Sequence, residues 1–148
     1  MRLKYYGIIL SLMLVFFSEH IGFCENYTPE NFVKEFYIWY TKNWNNHYLI
    51  YDNTLYKYVD KCIVKKLQIN RKKNLPGYDY FTASQDNFET WPETLKVYDA
   101  ITINESLFAI PVDLAPDAPN ESIALLVFLE KENEKFHIIK VKNIDRDF

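Results

Sequence analysis

The hydrophobic period of this chain changes once, and that change sets its architecture. From Thr28 to Gln68 apolar side chains recur every three or four residues; from Thr94 onward they recur every two. A run of helices followed by a run of strands builds α+β rather than an alternating α/β fold. Helices on one side of the chain and strands on the other must bury their apolar faces against each other. The expectation is N-terminal helices packed on one face of a curved, four-stranded antiparallel sheet that closes toward a cone.

The first helix begins at Thr28-Pro29-Glu30, with Thr as N-cap, Pro in the first helical position and Glu in the first turn. It is predicted to run to about Trp44. Phe32, Phe36, Tyr40 and Trp44 recur every four residues, with Val33 and Tyr37 beside them. That stripe is expected to lie flat on the sheet. A second helix is predicted over about Thr54–Gln68, capped by Asn53 or Thr54. Its apolar face reads Leu55, Tyr58, Val59, Cys62, Ile63 and Leu67.

Between the two regimes lies Leu75–Trp91, LPGYDYFTASQDNFETW, the densest mixture of aromatic and polar groups in the chain. A pocket or recognition surface is expected to draw on it, and Tyr78, Asp79, Tyr80, Gln85, Asp86 and Trp91 are the candidate binding residues. Asp79 is placed to cap a short helical turn through Ala83, and Asp86 or Asn87 to cap or end another. Gln85 and Asp86 are expected to tie this crossing to backbone N–H groups. Trp91, preceding Pro92, is expected to be extended.

The strands follow as about Leu95–Ile103, Leu107–Leu114, Ile123–Leu129 and a last strand through Phe136, Ile138 and Val141. Pro111 demotes its strand to an edge or marks a bulge. Ile123–Leu129 is continuously apolar, as in a strand covered on both faces. The charged Lys131–Glu134 segment is a hairpin turn.

Residues 1–24 read as a secretory leader, which leaves 25–148 as a single domain. Arg2 and Lys4 precede an 11-residue apolar run, Gly7–Phe17. That run is shorter than the about 20 residues a membrane span needs. Gly22 and Cys24 place small residues for cleavage before Glu25, giving a periplasmic or secreted protein. The rival is a lipoprotein signal with Cys24 acylated and the domain anchored to a membrane, although Phe23 stands where a lipobox has a small residue. With Cys24 removed, Cys62 has no partner for an internal disulfide and reads as a small buried hydrophobe.

The formal net charge of −3 argues against nucleic acid as a partner, because phosphate binding needs a basic face. The basic cluster Lys65, Lys66, Arg71, Lys72 and Lys73 reads as a solvated helix end. His47 and His137 lack companions at metal-ligand spacing, so no metal or other cofactor is expected. With only three Gly, the chain has no phosphate-cradling loop, and no nucleophile elbow occurs.

The aromatic first helix FVKEFYIWY, the segment YDYFTASQD, a Trp ahead of the strands and the final alternating strand KFHIIKV resemble the DUF3828 family of small exported bacterial proteins, over about residues 28–145. Tyr78-Asp79-Tyr80-Phe81 followed by Gln85-Asp86 is the most specific piece; Phe136 departs from the pattern, standing where a Trp is expected. The resemblance implies an NTF2-like cone and brings no established activity. Two functions fit. One is an exported, non-catalytic binding module for a protein or small ligand, an immunity protein against a secreted toxin being a concrete version. The other is a small isomerase or hydrolase using an Asp or Tyr in the cavity.

Overall fold

The computed structural model describes residues 27–45, 49–73 and 77–144. The leader, Cys24 and its cleavage or acylation, His47 and Pro76 lie outside the described residues. Helices pack on one face of an antiparallel sheet, as the change of period requires.

Helix α1 spans Pro29–Lys42. The Thr28 hydroxyl accepts the Asn31 N–H at 3.2 Å, so the capping signal is used as written. Phe32, Val33, Phe36, Tyr37 and Tyr40 are buried, whereas Trp44 lies beyond the helix and is half-buried.

The predicted second helix is two helices, α2 at Leu55–Tyr58 and α3 at Lys61–Lys72, preceded by a 3-10 turn at Leu49–Tyr51. At the N-terminal end, the Asp52 carboxylate takes the Thr54 N–H at 2.7 Å, and Thr54 itself makes no capping bond. Val59 is extended (φ −116°, ψ 141°) and bridges in parallel to Ile138, while the Asp60 N–H donates to the Ile138 carbonyl at 3.0 Å. The Asp60 carboxylate then caps α3 through the Cys62 and Ile63 N–H groups. This break resets the helical phase. Val64, on the far side of a continuous helix from Leu55, becomes the buried residue of α3. Cys62, expected inside, is exposed.

Trp91 is helical rather than extended, in the short helix α4 (Trp91–Thr94). Pro92 falls in the first turn, where its missing N–H has no helical partner to lose. The Trp91 ring is fully buried, and its indole N–H donates to the Glu121 carbonyl at 3.1 Å. That burial outweighs the preference of a pre-proline residue for extended backbone.

The first predicted strand is broken into β1 (Lys96–Val97) and β2 (Ile101–Thr102), both paired with β3 (Leu107–Leu114). Beyond β3 lie β4 (Ile123–Glu132) and β5 (Lys135–Asn143), each antiparallel to its neighbour. Val97 faces Val112 and Ile101 faces Ala109, so the first strand carries one residue more than its partner here. This is a bulge, and Pro111 stands opposite it. The Pro111 carbonyl accepts the Tyr98 N–H at 3.0 Å, so the proline nitrogen, on the same side, faces the one place where no ladder donor is required. Pro111 therefore sits within an interior strand, and the bulge is the correct alternative of the two.

Leu125, Val127 and Leu129 of β4 turn into the core with Ile110, Val112 and Leu114 of β3 and Ile138 of β5. The opposite face of β4, Ala124, Leu126 and Phe128, is half-buried rather than covered. In β5 the register shifts between Phe128 and Leu129, whose partners are Lys140 and Ile138. Ile139 is the extra residue, which lets both Ile138 and Val141 point inward. Asn133 and Glu134, with φ of 48° and 62°, form the two-residue hairpin loop between β4 and β5.

Candidate functional site

At the end of α1 away from its N-cap, the fold leaves a concave cleft of about 850 Å³. One wall is Tyr40 and Trp44, where α1 ends; another is Leu49 and Ile50 of the 3-10 turn; a third is Leu67, Asn70 and Arg71 on the last turns of α3. Gly77–Phe81 with Ser84 and Gln85 completes it. Of the candidate residues, Tyr78, Asp79, Tyr80 and Gln85 line this space.

Asp79 organises the fourth wall. One carboxylate oxygen, Oδ1, accepts the Phe81 and Thr82 N–H groups, each at 2.9 Å, and the Thr82 hydroxyl at 3.2 Å. The other, Oδ2, accepts the Tyr40 hydroxyl at 2.6 Å. The Ala83 N–H closes the turn onto the Asp79 carbonyl at 2.8 Å, and Ala83 reverses the chain with a φ of 53°. The Tyr37 hydroxyl donates to the Phe81 carbonyl at 2.9 Å. Two tyrosines one helical turn apart on α1 thus hold the crossing segment by its backbone and by its capping carboxylate. The Phe81 ring packs against α1, with centroids 5.1 Å from Phe36 and 5.0 Å from Tyr40.

Burial pushes the Asp79 carboxyl above its ordinary range, against the pull of the hydrogen bonds it accepts. Burial, and then the Asp79 charge, hold the Tyr37 and Tyr40 hydroxyls well above theirs. Tyr40 is therefore a neutral donor to a buried acceptor. Both Asp79 oxygens are engaged by protein donors, which makes this carboxylate a clamp on the crossing rather than a base facing the cleft. The half-buried Tyr80 hydroxyl accepts the Val141 N–H at 3.4 Å and ties the same segment to β5.

The other candidates separate. Tyr78 is 56% exposed at the cleft mouth. Asp86 is exposed and does not line the cleft. Gln85 is exposed too, and neither side chain joins a hydrogen bond among the described residues. The expectation that these two anchor the crossing is therefore corrected: Asp79 carries that role, because its position ahead of the turn aims its oxygens at Phe81 and Thr82. Trp91 belongs to the core, against Phe88, away from the cleft. Among the described residues no cluster of His, Cys, Asp and Glu could hold a metal.

Sequence reasoning missed Tyr40, Trp44, Asn70 and Arg71 as cleft residues. Tyr40 and Trp44 belong to the apolar stripe of the first helix, and they stand at its C-terminal end, where they line the cleft. Arg71 was visible in a different way: it follows Val64 and Leu67 at helical spacing, an ionised residue on an inward-facing line.

The fold is similar to a chain in the crystal structure of the type VI native effector-immunity complex Tae3-Tai3 from Ralstonia pickettii, with a TM-score of 0.71 and 24% identity over 79% of this chain and 95% of that one. The selenomethionine form of the same complex gives a TM-score of 0.68 at 24% identity, covering 79% and 97%. No family model matches the chain, and no curated protein matches it. At this identity the likeness establishes the fold.

Proposed function

We propose that this chain is an exported, non-catalytic binding protein of the immunity type, which acts by holding a secreted effector. The observation that carries the reading is the shared fold, which extends over nearly the full length of a chain from an effector-immunity complex. The cleft suits the role. Its walls are rich in Tyr and Trp, which give large contact areas with a polar edge and are enriched where proteins meet. Its carboxylate, Asp79, is committed to four protein donors. We also propose, from the Tyr78–Phe81 and Gln85-Asp86 segment, that the chain belongs to the DUF3828 family.

The test is co-production with candidate secreted effectors from the same genome. Protection of the producing cell and a stable one-to-one complex are expected. Absence of both removes the reading. Intact mass reports on export: cleavage after Cys24 is expected, whereas a lipid adduct on Cys24 makes the protein an anchored one.

A further inference from the structure

Helix α3 carries Lys61, Lys65, Lys66, Arg71 and Lys72, and Lys73 caps it. No acidic residue interrupts the run from Lys61 to Lys73 in a chain whose net charge is −3. All six side chains are exposed, and none makes an ion pair with another described residue. Ordinary surface helices intersperse both signs, since like charges repel and opposite ones at helical spacing stabilise. Here the stabilising choice is not taken along the whole helix. Lys61, Lys65 and Lys72 share one outward face, and Lys66 and Lys73 lie about a third of a turn further round the helix.

Arg71 differs from the lysines. On the inward line of α3, Val64 is buried and Leu67 half-buried; Arg71 is next at the same spacing, and it opens into the cleft. An apolar side chain there would extend the packing against the 3-10 turn. Instead a planar, permanently charged fork stands in the wall it shares with Leu67 and Asn70, in a cleft also lined by Trp44, Ile50 and Tyr78. Its field reaches Tyr40, whose hydroxyl it draws downward against the larger effect of burial. The nearby carboxylate, Asp79, is already engaged by Tyr40 and the turn.

We propose that the cleft and the lysine face of α3 form one docking surface for an acidic, protruding loop of a protein partner, with Arg71 receiving a carboxylate of that loop. The aromatic walls take the apolar side chain that flanks this carboxylate, and the lysines form the rim that steers and orients the approach. This rests on the proposed function and specifies the chemistry of the effector surface involved. An anionic membrane is the competing occupant of a lysine face, but a flat surface leaves the concave wall and Arg71 unused.

The experiment measures binding of the full mature chain to a secreted effector selected by the protection test above, by calorimetry and by association rate at two salt concentrations. Vesicles containing phosphatidylglycerol serve as the second probe. Arg71→Ala is expected to weaken the complex by about 30-fold or more, as for other buried interface arginines. Arg71→Lys, which keeps the charge and loses the fork, should recover part of that. Reversal of Lys61, Lys65, Lys66 and Lys72 to Glu should slow association by about tenfold at low salt and much less at high salt. Lys96→Glu and Lys140→Glu, on the outer sheet face, should leave binding unchanged. Circular dichroism checks that the α3 variants fold, which their exposure favours. If all α3 variants bind like wild type, this inference is overturned while the immunity reading stands. If wild type forms no complex, the reading fails and takes the inference with it. If the α3 lysines govern vesicle binding and leave the protein complex untouched, the face belongs to lipid and the proposal is wrong.

Discussion

The Tyr40 hydroxyl donates to the Asp79 carboxylate at 2.6 Å, joining the end of the first helix to a turn 39 residues later. Tyr37 makes the companion bond to the Phe81 carbonyl. Removing the carboxylate strands the Phe81 and Thr82 N–H groups together with the Tyr40 hydroxyl. Each buried donor left unpaired costs about 1–3 kcal/mol. Asp79→Ala is therefore expected to lower the unfolding free energy, read from denaturant titration, by at least about 1–3 kcal/mol, and Asp79→Asn, which keeps one acceptor for the turn, by much less. The pH dependence distinguishes the charge from the bonds. The folded carboxyl sits above its ordinary range, so the folded state binds this proton more tightly than the unfolded chain does. Ionisation costs stability as pH rises from the ordinary carboxyl value of about 3.9 through the folded one. The advantage of wild type over Asp79→Asn should accordingly be largest in acid and smaller at neutral pH. An advantage that grows with pH would contradict this.

Glu30 behaves in the opposite sense. Its carboxylate, in the first turn of α1, accepts the Ala100 N–H at 2.9 Å, inside the bulge that breaks the first strand. Partial burial favours the protonated acid, but the bonds from its own backbone, from Ala100 and from Thr28 outweigh it and lower the value. The stabilisation is present above the unfolded value, about 4.3, and is lost as pH falls through the lower folded one. Glu30→Gln should reduce thermal stability at pH 7, with the gap to wild type closing as pH drops below about 4. A gap independent of pH would show that the charge plays no part.

Phe36 and Trp44 share a stripe in the sequence but not an environment. Phe36 is fully buried, with aromatic neighbours on several sides, whereas Trp44 is half-buried at the cleft. Phe36→Ala should cost about 3–5 kcal/mol in urea unfolding. Trp44→Ala should cost clearly less and act on partner binding instead. Equal losses of stability would place Trp44 in the core.

Asp86 is exposed and caps nothing among the described residues. Asp86→Ala and Asp86→Asn should both have an unfolding free energy within about 0.5 kcal/mol of wild type, measured by thermal or urea unfolding, as surface substitutions usually do. A large loss in the Ala variant alone would restore the capping role.

The order of layers was legible because period is a property of many residues together. Thr28 and Pro29 marked the start of α1 to the residue, since a cap is a local chemical event. The same local logic offered Pro111 as the mark of a bulge. Even the irregularity in β5 is written in the sequence: inward Ile138 and Val141 are three residues apart, an odd step that only an extra residue reconciles with a period of two. What escaped was decided across distance. The break at Val59-Asp60 is held by Ile138 of the last strand, and no neighbour of Val59 announces it. Trp91 takes a helical backbone because the core wants its ring. The crossing segment was read as a source of site residues, and four of the six candidates do line the cleft. Its remaining walls, from the ends of α1 and α3, come together only when the chain folds back on itself.

The attachment of Val59-Asp60 to Ile138 also bears on self-association. An outer strand offers a row of open backbone donors and acceptors, a template on which a second chain can polymerise. On β5 that row is interrupted at Ile138, whose carbonyl already holds the Asp60 N–H, and is twisted by the extra residue that follows. On the opposite margin the template is cut into two-residue pieces, with the Glu30 carboxylate occupying the gap at Ala100. Neither margin presents a long straight run for edge-to-edge growth. Cutting the Asp60 attachment would therefore be felt first as loss of colloidal behaviour, before any loss of fold.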